Sequence, residues 1–65
     1  MKRDFTVFVT YKDDSEFHFV VTFEEDETGV SALLEMITRG VLMASIAKKA
    51  VCYDDEGFDV CSYVK

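Results

Sequence analysis

Proline is absent from this chain, and glycine occurs only three times in 65 residues. That leaves little material for long irregular loops, so the elements must follow one another closely. Long apolar runs are also missing. None approaches the roughly 20 residues of a helical membrane span, which excludes that class. Basic residues are scarce, with seven Lys and Arg against thirteen Asp and Glu and a net charge of −6. Such a chain is repelled by phosphate backbones and by anionic membrane surfaces. Only Lys2-Arg3 and Lys48-Lys49 are adjacent basic pairs, without the interleaved aromatics of single-strand binders. No direct nucleic-acid or membrane binding is expected. The charge itself favours solubility and partners with basic surfaces.

The chemistry-bearing residues are equally few. His18 is the single histidine, and Cys52 and Cys61 are the two cysteines. Zinc-type cysteine spacing is missing, and a cysteine nucleophile needs a base beside it. The chain starts Met1-Lys2-Arg3-Asp4 and runs straight into an alternating strand. No signal peptide is therefore expected, which points to the cytoplasm and to reduced thiols. A Cys52–Cys61 disulfide is open to the chain only if their strands pair. The acids cluster at 13–16, 24–27 and 54–56. Asp13, Asp14 and Glu16, and Asp54, Asp55 and Glu56, read as solvated acidic surface at turns. Neither group matches the twelve-residue calcium loop, and catalysis needs a carboxylate in a pKa-shifting environment. No enzyme, metal or cofactor is expected.

What is present is a globular composition, 49% apolar and 14% aromatic. Its size fits one domain, residues 1–65, with a core that supplies roughly 3–5 kcal/mol. Phe5, Val7, Val9 and Tyr11 alternate with polar positions, as do Phe17, Phe19, Val21 and Phe23. Period-2 alternation marks half-buried strands. Pairing odd with odd predicts Tyr11–Phe17, Val9–Phe19, Val7–Val21 and Phe5–Phe23. A three-residue loop Asp13-Asp14-Ser15 and a Lys12–Glu16 pair follow. The reverse face, with Phe8 opposite Val20 and Thr10 opposite His18, is mixed.

Glu24-Glu25-Asp26-Glu27 precedes a helical region expected from about 28 to 49. Asp26 or Thr28 would cap it, and Lys48-Lys49 would sit at its negative end. Val30, Leu33, Leu34, Ile37, Val41 and Ala44 form one apolar stripe. Gly40 either lies inside one long helix or ends the first of two short ones. Two short strands should follow, with a turn at Asp54-Asp55-Glu56-Gly57. The expected fold is α+β, in the order ββα(α)β(β). A small antiparallel sheet, made of an N-terminal hairpin plus a C-terminal strand or hairpin, packs against one or two helices. Phe5, Val7, Val9, Phe17, Phe19, Val21, Phe23, Leu33, Leu34, Ile37 and Val41 are the expected core.

The run Val41-Leu42-Met43-Ala44-Ser45-Ile46-Ala47 is apolar almost all the way round a helix. A helix on one sheet needs one apolar stripe. In a continuous helix Leu42, Met43 and Ile46, with Met36, are surplus to that stripe. They are the candidate partner-binding residues, since contiguous exposed apolar groups mark interfaces. A break at Gly40 would instead turn some of them inward.

The segment Tyr11-Lys12-Asp13-Asp14-Ser15-Glu16-Phe17 joins two strands, and Ala47-Lys48-Lys49-Ala50-Val51-Cys52 runs from the helical region into a cysteine-containing strand. With the acidic segment between them, this order resembles the small phage antitoxins known as discriminators of mRNA degradation (Dmd). The resemblance implies a phage protein that binds and inhibits a bacterial toxin ribonuclease, and no functional residue is carried over from it. The expected function is a small acidic non-enzymatic inhibitor. Its partner is a protein with a basic or apolar surface, such as a host toxin or defence protein. The alternatives are a homodimeric structural or accessory protein, and a nucleic-acid mimic that occupies a basic site.

Overall fold

A computed structural model describes residues 2–44 and 46–65. Strands β1 (Lys2–Tyr11) and β2 (Glu16–Glu24) lead into helix α1 (Val30–Ala44), followed by β3 (Ala47–Tyr53) and β4 (Asp59–Val64). The four strands form one sheet in the order β2-β1-β3-β4, with every neighbouring pair antiparallel. This is the expected α+β architecture, realised as ββαββ with a single helix. No helix among the described residues is long and apolar enough to cross a membrane.

Both hairpins close on the same kind of loop. The Tyr11 N–H donates to Ser15 O (2.8 Å) and the Asp14 N–H to Tyr11 O (2.9 Å). The loop is Lys12-Asp13-Asp14, one residue earlier than expected, and Asp14 takes the left-handed position at φ 71°. In the second hairpin the Asp54 N–H donates to Phe58 O (3.0 Å) and the Gly57 N–H to Asp54 O (3.1 Å). Gly57 holds the equivalent position at φ 87°.

The loop position resets the register. Val9 faces Phe17, Val7 faces Phe19, Phe5 faces Val21 and Arg3 faces Phe23. Each expected partner has slipped by two residues. A slip of two preserves the faces, whereas a slip of one would invert them. The odd side chains therefore still point at the helix. On the reverse face Phe8 stands opposite His18, and Thr10 opposite Glu16. The expected Lys12–Glu16 pair is replaced: a bulge opposite Thr10 and Tyr11 re-aims Lys48, whose ammonium donates to Asp14.

The helix is shorter than expected and starts differently. Gly29 O accepts from the Leu33 N–H (3.1 Å), so Gly29 occupies the cap position, at φ 73°. Neither Asp26 nor Thr28 caps it. At the other end α1 stops at Ala44, and Ala47-Lys48-Lys49 belongs to β3 rather than to a last helical turn. Ala47 and Ala50 are fully buried in the core. Pairing with β1 and β4 outweighs the helical preference of Ala and Lys. Gly40 lies inside the continuous helix. Ser45 of the apolar run lies outside the described residues.

The buried ridge of α1 is Val30, Leu34, Thr38 and Leu42, spaced by four. It differs from the expected stripe because its third member is polar. Ile37 and Val41 are only half-buried, while Leu33 and Ala44 are exposed. The ridge packs on β3 and β4 and touches β1 more lightly. No comparable contact reaches β2. The core is Phe5, Val7, Val9, Phe23, Val30, Leu34, Leu42, Ala47, Ala50 and Cys52. Phe17, expected in it, is 53% exposed because the helix does not extend over its strand.

Candidate interaction surfaces

The expected partner-binding residues separate into three places. Leu42 is 4% exposed and sits in the core. Its expected role at the surface is therefore corrected: the ridge spaced by four turns it onto β3 and β4. Met36 and Met43 are 66% and 68% exposed on the outer face of α1. They border a shallow groove with Ala32, Glu35, Arg39 and Gly40. Ile46 is 70% exposed but lies beyond the helix, where its C=O accepts from the Lys12 N–H (3.2 Å). It does not line the groove.

The floor of that groove is small because of Gly40. A Cβ built there meets nothing within 4 Å. Glycine within a helix costs about 1 kcal/mol relative to alanine, and no packing inside the chain offsets this cost. Glu35 and Arg39 are both held by Tyr63. The Tyr63 hydroxyl donates to Glu35 Oε1 (3.1 Å), and the Arg39 guanidinium lies 5.0 Å from the ring centroid. The groove walls are thus anchored to β4.

The acidic residues divide between opposite ends of the sheet. Asp13, Asp14 and Glu16 surround the β1–β2 loop, and Asp54, Asp55 and Glu56 form the β3–β4 turn. Since β3 runs antiparallel to β1, the two loops cannot merge into one acidic face. Asp13 and Asp54 hold their own loops, and Asp14 ties its loop to β3. Asp13 Oδ1 accepts from the Ser15 hydroxyl (2.5 Å) and N–H (3.1 Å), which lowers its pKa. Asp14 accepts from Lys48. Asp54 Oδ1 accepts the N–H groups of Glu56 (2.9 Å) and Phe58 (2.8 Å). No group of three or more His, Cys, Asp or Glu side chains placed to hold a metal occurs among the described residues.

Cys52 and Cys61 stand directly opposite each other on β3 and β4, as free thiols. The Cys61 thiol donates to the buried Thr38 hydroxyl (3.7 Å). Burial, and then neighbouring Cys61, push the Cys52 thiol up to about 11, so it stays protonated at neutral pH. A protonated thiol is a poor nucleophile. The cysteines face the helix, whereas His18 packs on Phe8 of the reverse face at 5.3 Å between ring centroids. The sheet itself separates the thiols from the only imidazole.

That reverse face carries no second layer. Phe8 also meets Tyr53 edge-on at 5.6 Å, and Val20 is exposed beside them. The free edge of β2 was missed by sequence reasoning, because strand order cannot be read from alternation within one hairpin. No family model matches this chain, and neither curated proteins nor solved structures give a match.

Proposed function

We propose that this chain is a non-enzymatic protein that binds a partner protein stoichiometrically through the outer face of α1 and thereby inhibits it. The observation that carries the reading is Gly40 on the floor of the Met36–Met43 groove. Its missing Cβ serves nothing within the chain, and the open floor lets another backbone approach closely. The flanking methionines suit an adaptable contact. Cytoplasmic action as a phage-encoded antitoxin or host-factor inhibitor fits the acidic composition and the resemblance to small phage antitoxins.

The test pairs stability with capture. Gly40→Ala should raise unfolding free energy by about 1 kcal/mol, while weakening retention of the partner from host lysate. Met36→Glu and Met43→Glu should abolish retention with little change in melting. Unchanged retention by all three folded variants would remove the groove from the proposal. A homodimer through the same face is the second reading, because a two-fold axis would stack the exposed Met36 and Met43 of two copies on each other. Light scattering at high concentration separates it, because a monomer excludes that alternative.

A further inference from the structure

β2 is an outer strand of the sheet. In an antiparallel pair, residues alternate between those whose N–H and C=O point at the partner strand and those pointing away. The Tyr11 N–H to Ser15 O bond sets the phase. Phe17, Phe19, Val21 and Phe23 therefore bond to β1, and Glu16, His18, Val20, Thr22 and Glu24 point outward. Glu24 fits this phase. Its N–H takes the Glu27 carboxylate (3.4 Å), and its C=O accepts from the Glu27 N–H (3.2 Å). Among the described residues, His18, Val20 and Thr22 have no such local cap on their outward backbone groups.

Sheets guard free edges with proline, bulges, charges or short length. β2 has nine residues, and its register with β1 is unbroken from Lys2–Glu24 to Thr10–Glu16. From Phe17 to Phe23 it has no proline and no Asp, Glu, Lys or Arg. The other edge, β4, has six residues, and its pairing is bulged between Cys52 and Tyr53. On its helix side, β2 also offers the exposed Phe17 ring, with Phe19 and Val21 half-buried against the core beside it. Acids bound the edge at both ends. Asp13, Asp14 and Glu16 stand at one, and Glu24, Glu25, Asp26 and Glu27 at the other. Lys48 pairs with Asp14 at the first end, and Lys2 with Glu24 at the second.

We propose that the β2 edge receives an extended segment of a partner protein by strand addition, and that this segment is apolar in its middle and basic at both ends. Main-chain bonds to His18, Val20 and Thr22 supply affinity, and alternate side chains beside Phe17, Phe19 and Val21 supply selectivity. A second copy is a poor occupant. Antiparallel pairing of two β2 edges brings the acidic hairpin loop of one copy against Glu24–Glu27 of the other. Each copy also carries a net charge of −6, and like charges facing across strands destabilise the pair. The inference rests on the reading of the chain as a binding protein but uses a different surface.

The probe is a synthetic peptide of alternating valine and threonine with lysines at both ends, titrated into the whole chain and followed by amide chemical shifts. Saturable shifts at His18, Val20 and Thr22, with slowed amide exchange there, are expected. The same peptide ending in glutamates should bind at least roughly tenfold more weakly. The peptide N-methylated on alternate amides should not bind. Val20→Pro, which removes an outward N–H only, should abolish the shifts. If that variant does not fold, the N-methylated peptide makes the same test. No shift at β2, equal binding of the glutamate and lysine peptides, or dimerisation of the free chain through β2 would each overturn the inference. Shifts confined to Met36 and Met43 would overturn it too, while leaving the helix-face reading intact.

Discussion

The two halves of the sheet are built from similar strands and end up in different environments. β3 and β4 lie under α1, and small side chains at Ala47, Ala50 and Cys52 let the helix seat closely. β2 carries the larger side chains Phe17, Phe19, Val21 and Phe23, yet only Phe23 is buried, against Phe5 at 5.8 Å. Apolar content alone therefore does not mark the core. The covered half is where the helix can approach, and the uncovered half keeps apolar surface and a free edge for contact.

Truncations should separate the halves most sharply. Leu34→Ala, beneath the helix, should cost about 3–5 kcal/mol, whereas Phe17→Ala should cost less than about 1 kcal/mol. Against a core of this size the first variant should be largely unfolded in a denaturant titration. Equal costs at the two sites would show that β2 is covered after all.

The covered half should also show its own pH response. The Cys52 thiol is raised from 9.0 to about 11 by burial. Folding therefore holds the proton more tightly than the unfolded chain does. The resulting stability is complete below pH 9 and is lost as pH rises towards about 11. A melting series across that interval should fall, and Cys52→Ala should flatten the fall. An unchanged slope in the variant would assign the loss to other groups.

The smallest effects lie in the hairpin loops, which differ at one residue. Gly57→Ala places a Cβ in a left-handed position and should cost about 1–2 kcal/mol. Asp14→Gly relieves the same strain by up to about 1 kcal/mol but loses the exposed pair with Lys48, worth about 0–1 kcal/mol. It should be nearly neutral in thermal melts. A large loss at Asp14 would mean that the ion pair, rather than the backbone, holds the first hairpin.

Much of this was legible in local pattern. Alternation assigned every side chain of the first hairpin to its correct face, because faces depend only on parity. The register was not legible from parity, since loops 12–14 and 13–15 both pair odd with odd and differ in whether Asp14 or Ser15 turns left-handed. The groove was half legible. Met36 and Met43 stood outside any single apolar stripe, and they are exposed. Leu42 could not be separated from them, because the ridge that buries it passes through Thr38 and hides from a hydrophobicity pattern. The fit of Lys48-Lys49 to the negative end of a helix dipole carried the expected helix through Ala47-Lys48-Lys49, where contacts distant in sequence decide the matter.

By itself the sequence determined the first hairpin and the facing of its two strands, the turn at Gly57, and the presence of a helix. These follow from periodicity and backbone freedom, which act over a few residues. Only the tertiary structure decided where the helix ends, that it runs unbroken through Gly40, and which half of the sheet it covers. Those outcomes depend on strand order and on how closely the helix seats on alanine and cysteine. They are long-range packing energies that no local window contains.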